Sequence, residues 1–154
     1  MYNEQSVKTN EELINNQQFK TELEEVMKGQ FKSLEQLLLV LEQQHEYIVK
    51  NDVFNMESCV KKVQECSKKV AKVELKRRDL IQGQNMGKLI KKMNDKELDE
   101  SFRELQMLLN EVKLQKDTNE LLIKHGLSYV NKMLGVLNPD RQAKTYNSYG
   151  NMRR

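Results

Sequence analysis

Two histidines, two cysteines and a run of lysines are the residues of this chain whose types could do chemistry. A helical zinc hydrolase sets two His four apart with a Glu beside the first. His45-Glu46-Tyr47-Ile48-Val49 has the Glu but no second His. His125-Gly126-Leu127-Ser128 lacks the setting of a phosphotransfer histidine. Cys59 and Cys66 stand seven residues apart, which on a helix is about 10 Å of rise, beyond disulfide reach. We read them as reduced thiols of a cytoplasmic protein. Two thiols and two distant histidines do not make a nucleophile with its base. There is no Cys-x-x-Cys, no acidic calcium loop and no Gly-rich phosphate loop, and Gly83 and Gly87 read as a helix break. The expectation is a protein without catalysis, metal or cofactor.

The lysine run is a different matter. Lys61, Lys62, Lys68, Lys69, Lys72, Lys76, Arg77 and Arg78 lie within 18 residues. Nucleic-acid surfaces usually combine such charge with aromatics or a known motif. Here Phe54 is the one nearby aromatic, and Glu65 and Glu74 interrupt the stripe. The charge is also unevenly spread. Residues 1–51 carry a net −4, residues 52–94 a net +6, residues 95–138 a net −2 and residues 139–154 a net +3. An acidic, a basic and an acidic segment in succession predict neighbours that attract across their flanks, as e and g positions do in coiled coils. We therefore expect a solvated basic face complementing acidic neighbours, with no nucleic-acid partner.

The elements that position these residues are helical. Charged residues make up 32% of the 154 and the hydrophobic fraction is 38%, more polar than an average globular domain. One Pro, no Trp and few aromatics argue against a sandwich or barrel. The longest apolar run, Leu37–Leu41, is five residues, far short of the ~20 of a membrane span. Met1-Tyr2-Asn3-Glu4-Gln5 does not open a signal peptide, so no membrane insertion and a cytoplasmic location are expected. Together these predict an elongated, all-α chain with thin apolar seams.

Three heptad segments carry the seams. Met27, Phe31, Leu34, Leu38, Leu41, His45 and Ile48 follow alternating steps of 4 and 3. That helix starts either near residue 10 or near residue 21, since Thr9-Asn10-Glu11-Glu12 and Thr21-Glu22-Leu23-Glu24 both fit a capping box. Lys50-Asn51-Asp52 predicts a tight turn, with Asn51 or Asp52 capping the next helix. The second helix has a thin, Val-rich stripe, Cys59, Val60, Val63, Cys66, Val70 and Val73, and Gln82–Gly87 breaks it. A short amphipathic piece, Leu89, Ile90 and Met93, follows. The third helix opens with Asn94 as cap and Glu97 as its box partner. Leu98, Phe102, Leu105, Leu109, Val112, Lys116, Asn119, Ile123, Gly126, Val130, Met133 and Leu137 step along it without a slip, and Pro139 ends it. The fold expected is an elongated antiparallel three-helix coiled-coil bundle. Residues 1–20 form a partly helical or disordered extension, 21–138 the helical domain, and 139–154 a flexible tail.

Within the third helix, residues 121–137 hold ten apolar residues in 17, against 8 in 26 over residues 95–120. Leu121, Leu122, Leu127, Tyr129, Leu134 and Val136 spread beyond the heptad line. A helix apolar around much of its circumference must be covered on several sides. Either the N-terminal half of helix one or a second copy in a homodimer covers it, or it is a docking surface for a partner's amphipathic helix.

Three stretches then resemble the flagellar export chaperones of the FlgN type. Leu37-Leu38-Leu39-Val40-Leu41-Glu42 through Ile48-Val49-Lys50-Asn51-Asp52 is similar to the end of that family's first helix and its turn. Val73-Glu74-Leu75-Lys76-Arg77-Arg78-Asp79-Leu80 is similar to the end of its second. Asn119-Glu120-Leu121-Leu122-Ile123 through Leu127-Ser128-Tyr129-Val130-Asn131-Lys132-Met133-Leu134, then Thr145-Tyr146-Asn147-Ser148-Tyr149-Gly150, is similar to its C-terminal helix and tail. The resemblance spans about residues 20–150. It implies a type III export chaperone that keeps the hook-filament junction proteins (FlgK- and FlgL-type hook-associated proteins) from assembling early. It also implies delivery to the export gate protein FlhA through its cytoplasmic domain. By the resemblance, Leu121, Leu122, Leu127, Tyr129, Val130, Leu134, Val136 and Leu137 would bind the client. Tyr146 or Tyr149 would contact the gate. The rival reading is a structural or adaptor coiled-coil protein without an export client.

Overall fold

The computed structural model describes residues 16–138. Among them are four helices and no strand, so the described residues are all-α. Two compact units divide it after Asn119. No described helix is long and apolar enough to cross a membrane.

Helix α1 (Gln17–Val49) opens under Asn16, whose extended backbone lets its side chain accept from the Gln18 amide at 2.9 Å. Thr21, one of the two expected caps, lies inside the helix with its hydroxyl turned to the Gln17 carbonyl. Thr9 lies outside the described residues. A tight turn follows. Asn51 takes a left-handed φ of 54°, which Asn tolerates better than most residues. Asp52 caps helix α2 (Val53–Ile81) by accepting from the Asn55 amide at 3.1 Å and from its side-chain amide. Those two bonds hold the Asp52 carboxyl below the usual carboxylate range.

Gln82 and Gly83 both have positive φ, 50° and 75°, and end α2. Helix α3 (Met86–Met93) starts under Asn85, which accepts from the Lys88 amide. Asn94 ends α3 with a φ of 51°. Helix α4 (Lys96–Leu137) is capped by Asp95, whose side chain accepts from the Leu98 amide at 3.1 Å. The expected cap, Asn94, is thus the terminator of the helix before. A left-handed residue cannot also hold the extended backbone an N-cap needs.

The first unit contains two apolar clusters. Phe19, Leu23 and Met27 of α1 meet Ile81, Met86, Leu89, Ile90 and Leu98. Further along, Leu34, Leu37 and Leu41 meet Leu105, Leu108 and Val112 of α4. Each such leucine stabilises the fold by about 1.5–3 kcal/mol through area removed from water. The salt bridge from Lys20 to Asp95 and the Leu41–Asn119 contact fix direction: α1 and α4 run the same way. Gln30 meets Glu74, and Val40 meets Cys59, so α2 runs against α1.

Helix α2 buries only Cys59 and Ile81 fully. Its inner line of Val63, Cys66 and Val70 is small, and these side chains are partly buried against the second cluster. Small residues let helix backbones approach. A methyl placed at Gly29 of α1 would sit 3.5 Å from Val73 Cγ1. The Cys59 thiol is buried, its Sγ 3.7 Å from the Val40 carbonyl, and burial pushes its pKa up. Both thiols are free.

The seam of α4 does slip. Leu108, not Leu109, is buried, and Lys116 faces solvent where Gln115 is half-buried. The buried line runs 98, 105, 108, 112, 119. Phe102, half-buried, lies between the first two, so consecutive steps of three follow it. An ideal helix drifts by ~20° per heptad against a 3.5-residue repeat, and two consecutive steps of three turn the buried line further in that same sense.

Asn119 closes the first unit. It is 2% exposed, and its Nδ2 donates to the Leu41 carbonyl at 2.8 Å and to Gln44 Oε1 at 3.0 Å. Since the Leu41 carbonyl only accepts, the amide orientation is fixed. Its Oδ1 accepts from Gln115 Nε2 and lies 3.2 Å from His45 Nδ1. A carbonyl oxygen cannot donate, so that ring nitrogen carries the proton. His45 is therefore a half-buried polar anchor for Asn119.

The basic stripe of α2 does not pair with acidic neighbours as expected. Lys61, Lys62, Lys68, Lys69, Lys72 and Lys76 make no ion pair among the described residues. The pairs on α2 are internal: Glu74 holds Arg77 at 2.6 Å and Arg78 at 3.3 Å. The Arg77 hydrogen bond chiefly keeps the Glu74 carboxyl below its usual range.

Candidate partner-binding surface

From Glu120 onward the described chain is one helical segment, the end of α4. Leucine and methionine favour a helix there, while Gly126 and Gly135 oppose it by roughly 1 kcal/mol each. Neither glycine is required by packing. Nothing lies within 4 Å of a side chain placed at either position.

The segment keeps its apolar side chains in solvent. Leu122 and Ile123 are half-buried, and every described residue after Ile123 is exposed. Leu127 is 60% exposed, Tyr129 65%, Val136 79% and Leu137 76%. These values separate a surface from a core, because the seam leucines before Asn119 are nearly closed off. At 3.6 residues per turn, nine of the ten apolar residues fall on roughly half of the circumference. Leu121 alone lies on the other half, with Lys124, His125, Ser128, Asn131 and Lys132.

All eight client-binding positions expected from the sequence lie on this one segment. Leu121, Leu127, Tyr129, Val130, Leu134, Val136 and Leu137 are exposed, and Leu122 is half-buried. Met133, 44% exposed, belongs to the same half and was assigned to the seam by its heptad step alone. Its signal in the sequence was the density of apolar neighbours around it. Tyr146 and Tyr149 lie outside the described residues.

The chemistry available is hydrophobic and weakly cationic. Residues 121–137 contain Lys124 and Lys132 and no carboxylate. No group of three or more metal-binding side chains occurs among the described residues. Exposed leucines on half a helix are a standing free-energy cost in water, removed when another apolar face covers them. The surface can bind an amphipathic helix by contact at i, i+3, i+4 and i+7 positions.

A family model described as "FlgN protein" matches residues 19–154, which covers most of the first unit and all of the second. No curated protein and no solved structure matches the chain.

Proposed function

The chain belongs to the FlgN family and is a FlgN-type flagellar export chaperone; from that premise we propose that its clients are the hook-associated proteins of the hook-filament junction, FlgK- and FlgL-type. In this reading the exposed half of residues 121–137 holds a client's terminal amphipathic helix and keeps it from assembling early. The three long helices act as an antiparallel coiled-coil bundle that supports that surface, and residues 139–154 serve as a tail. The tail, through Tyr146 or Tyr149, then meets the cytoplasmic domain of the gate protein FlhA, where the client is released. No catalysis and no cofactor enter.

The observation that supports this most is the run of exposed leucines between Leu121 and Leu137. A chaperone must cover apolar surface yet let it go. A groove completed by one exposed helix face, with an ordering cost on binding, favours moderate affinity over a permanent clamp. Co-expression with the C-terminal part of a hook-associated protein, followed by purification of this chain, tests the proposal. A stoichiometric complex is expected; absence of any complex at micromolar concentration would contradict it. Tyr146→Ala is expected to leave that complex intact and to weaken binding to the FlhA cytoplasmic domain. Equal weakening of both contacts would remove the division of labour.

A further inference from the structure

The unpaired lysines of α2 are set beside a trough. Gly29, Lys32, Ser33 and Gln36 of α1 face Lys69, Lys72, Val73 and Lys76 of α2 around a space of about 300 Å³. Gly29 adds no side chain to the lining, and a methyl there would meet Val73 Cγ1 at 3.5 Å. Its lining holds four lysines and no carboxylate. None of the four makes an ion pair among the described residues. Of the acids on α2 near the trough, Glu74 is engaged by Arg77, Arg78 and Gln30, and Glu65 and Asp79, four residues before Lys69 and three after Lys76, do not line it. Like charges three and four residues apart on a helix repel, so an outside anion would be welcomed here.

We propose that this trough docks an acidic helix of a partner protein, at a site separate from residues 121–137. The spacing favours a helix. Lys69, Lys72 and Lys76 step by three and then four residues, about 5 and 6 Å of rise. Carboxylates three and four residues apart on a docked helix repeat at the same intervals. The trough is two helices wide and concave, the shape a helix fills. It contains no aromatic on which a base could stack and no arginine to fork onto phosphate. It also lacks the exposed apolar row with which a helix enters a lipid surface.

The full chain can be titrated into a fluorescein-labelled Ala-rich helical peptide of about 20 residues with Glu at every fourth position, followed by anisotropy. Binding is expected, weakening by about tenfold between about 50 and about 300 mM NaCl as the charges are screened. The triple variant Lys69→Gln, Lys72→Gln, Lys76→Gln should bind about tenfold more weakly with its thermal midpoint unchanged. The double variant Lys61→Gln, Lys62→Gln, outside the trough, should stay within about twofold. A peptide of equal charge made non-helical by central prolines should also bind about tenfold more weakly. Wild-type affinity in the triple variant, equal loss in both lysine variants, or equal binding of the proline peptide would each overturn the proposal. So would tighter binding of phosphatidylcholine vesicles with about 30% phosphatidylglycerol, or of a DNA duplex of about 20 base pairs, than of the helical peptide.

Discussion

Between Leu98 and Asn119, α4 has few apolar residues and closes most of its inward ones away from water; between Leu121 and Leu137 it has many and closes none fully. The poorer stretch makes a core, because Leu105, Leu108 and Val112 meet Leu34, Leu37 and Leu41 on α1. The richer stretch keeps its leucines in solvent. Apolar content by itself therefore says little about stability. What matters is whether the same chain supplies the covering face. Burial against α1 turns a leucine into folding energy. An open leucine is free energy held back for another molecule.

The largest expected effect separates the two stretches outright. Leu23→Ala or Leu98→Ala should lower the unfolding free energy by about 2–5 kcal/mol, because each leaves a cavity among fully buried neighbours. Leu127→Asp or Leu134→Asp should change it by less than ~0.5 kcal/mol while abolishing client capture. Urea denaturation by circular dichroism checks the first, and co-purification the second. If Leu134→Asp melted the fold, residues 121–137 would be core and the contrast would disappear.

A smaller effect is expected where the two stretches meet. Asn119→Ala removes a buried amide and strips partners from the Leu41 carbonyl, Gln44 and Gln115. A loss of about 1–3 kcal/mol is expected, again by urea denaturation, with client affinity unchanged. A loss of client affinity without a loss of stability would mean that Asn119 belongs to the second stretch.

The smallest effect is in acid. Glu74 and Asp95 have carboxyls held below their ordinary range, by Arg77 and by Lys20 in the first place. Groups of that kind stabilise the fold above their unfolded pKa, near 4. The contribution disappears as pH falls through the lower folded value. The Lys20 ammonium is shifted up by Asp95, so its share is present through neutral pH and fades only as pH rises through that higher value. The thermal midpoint should be flat from about pH 5 to about pH 9 and fall below about pH 4. Glu74→Gln should make the acid fall shallower by a modest amount, since Glu74 is partly exposed. Residues 121–137 have no carboxylate to protonate, so their affinity for an apolar face should not follow this curve. An affinity that did would tie the two stretches together.

Much of this was legible in the residues. The all-α class, the turn at Lys50-Asn51-Asp52 and the break at Gln82–Gly87 follow from heptads, caps and glycines. The apolar excess of residues 121–137 was visible by counting. Three things were not. A one-residue choice between Leu108 and Leu109 depends on how far α4 drifts against α1, which spacing alone does not state. The choice of Asp95 over Asn94 depends on which of two adjacent capping residues turns left-handed. The unpaired state of the α2 lysines depends on where each side chain lies against α1, which a heptad pattern does not state. Charge asymmetry along the chain predicts attraction, but it does not say which side chains come into contact, and the α2 lysines make no ion pair among the described residues.

Hydrogen exchange of the full chain, alone and with the C-terminal segment of a hook-associated protein, tests the central claim most directly. Among the described residues, the account predicts rapid exchange over 121–137 in the free chain, strong added protection there on binding, and little change before Asn119. Added protection confined to residues before Asn119, with 121–137 unaffected, would contradict it.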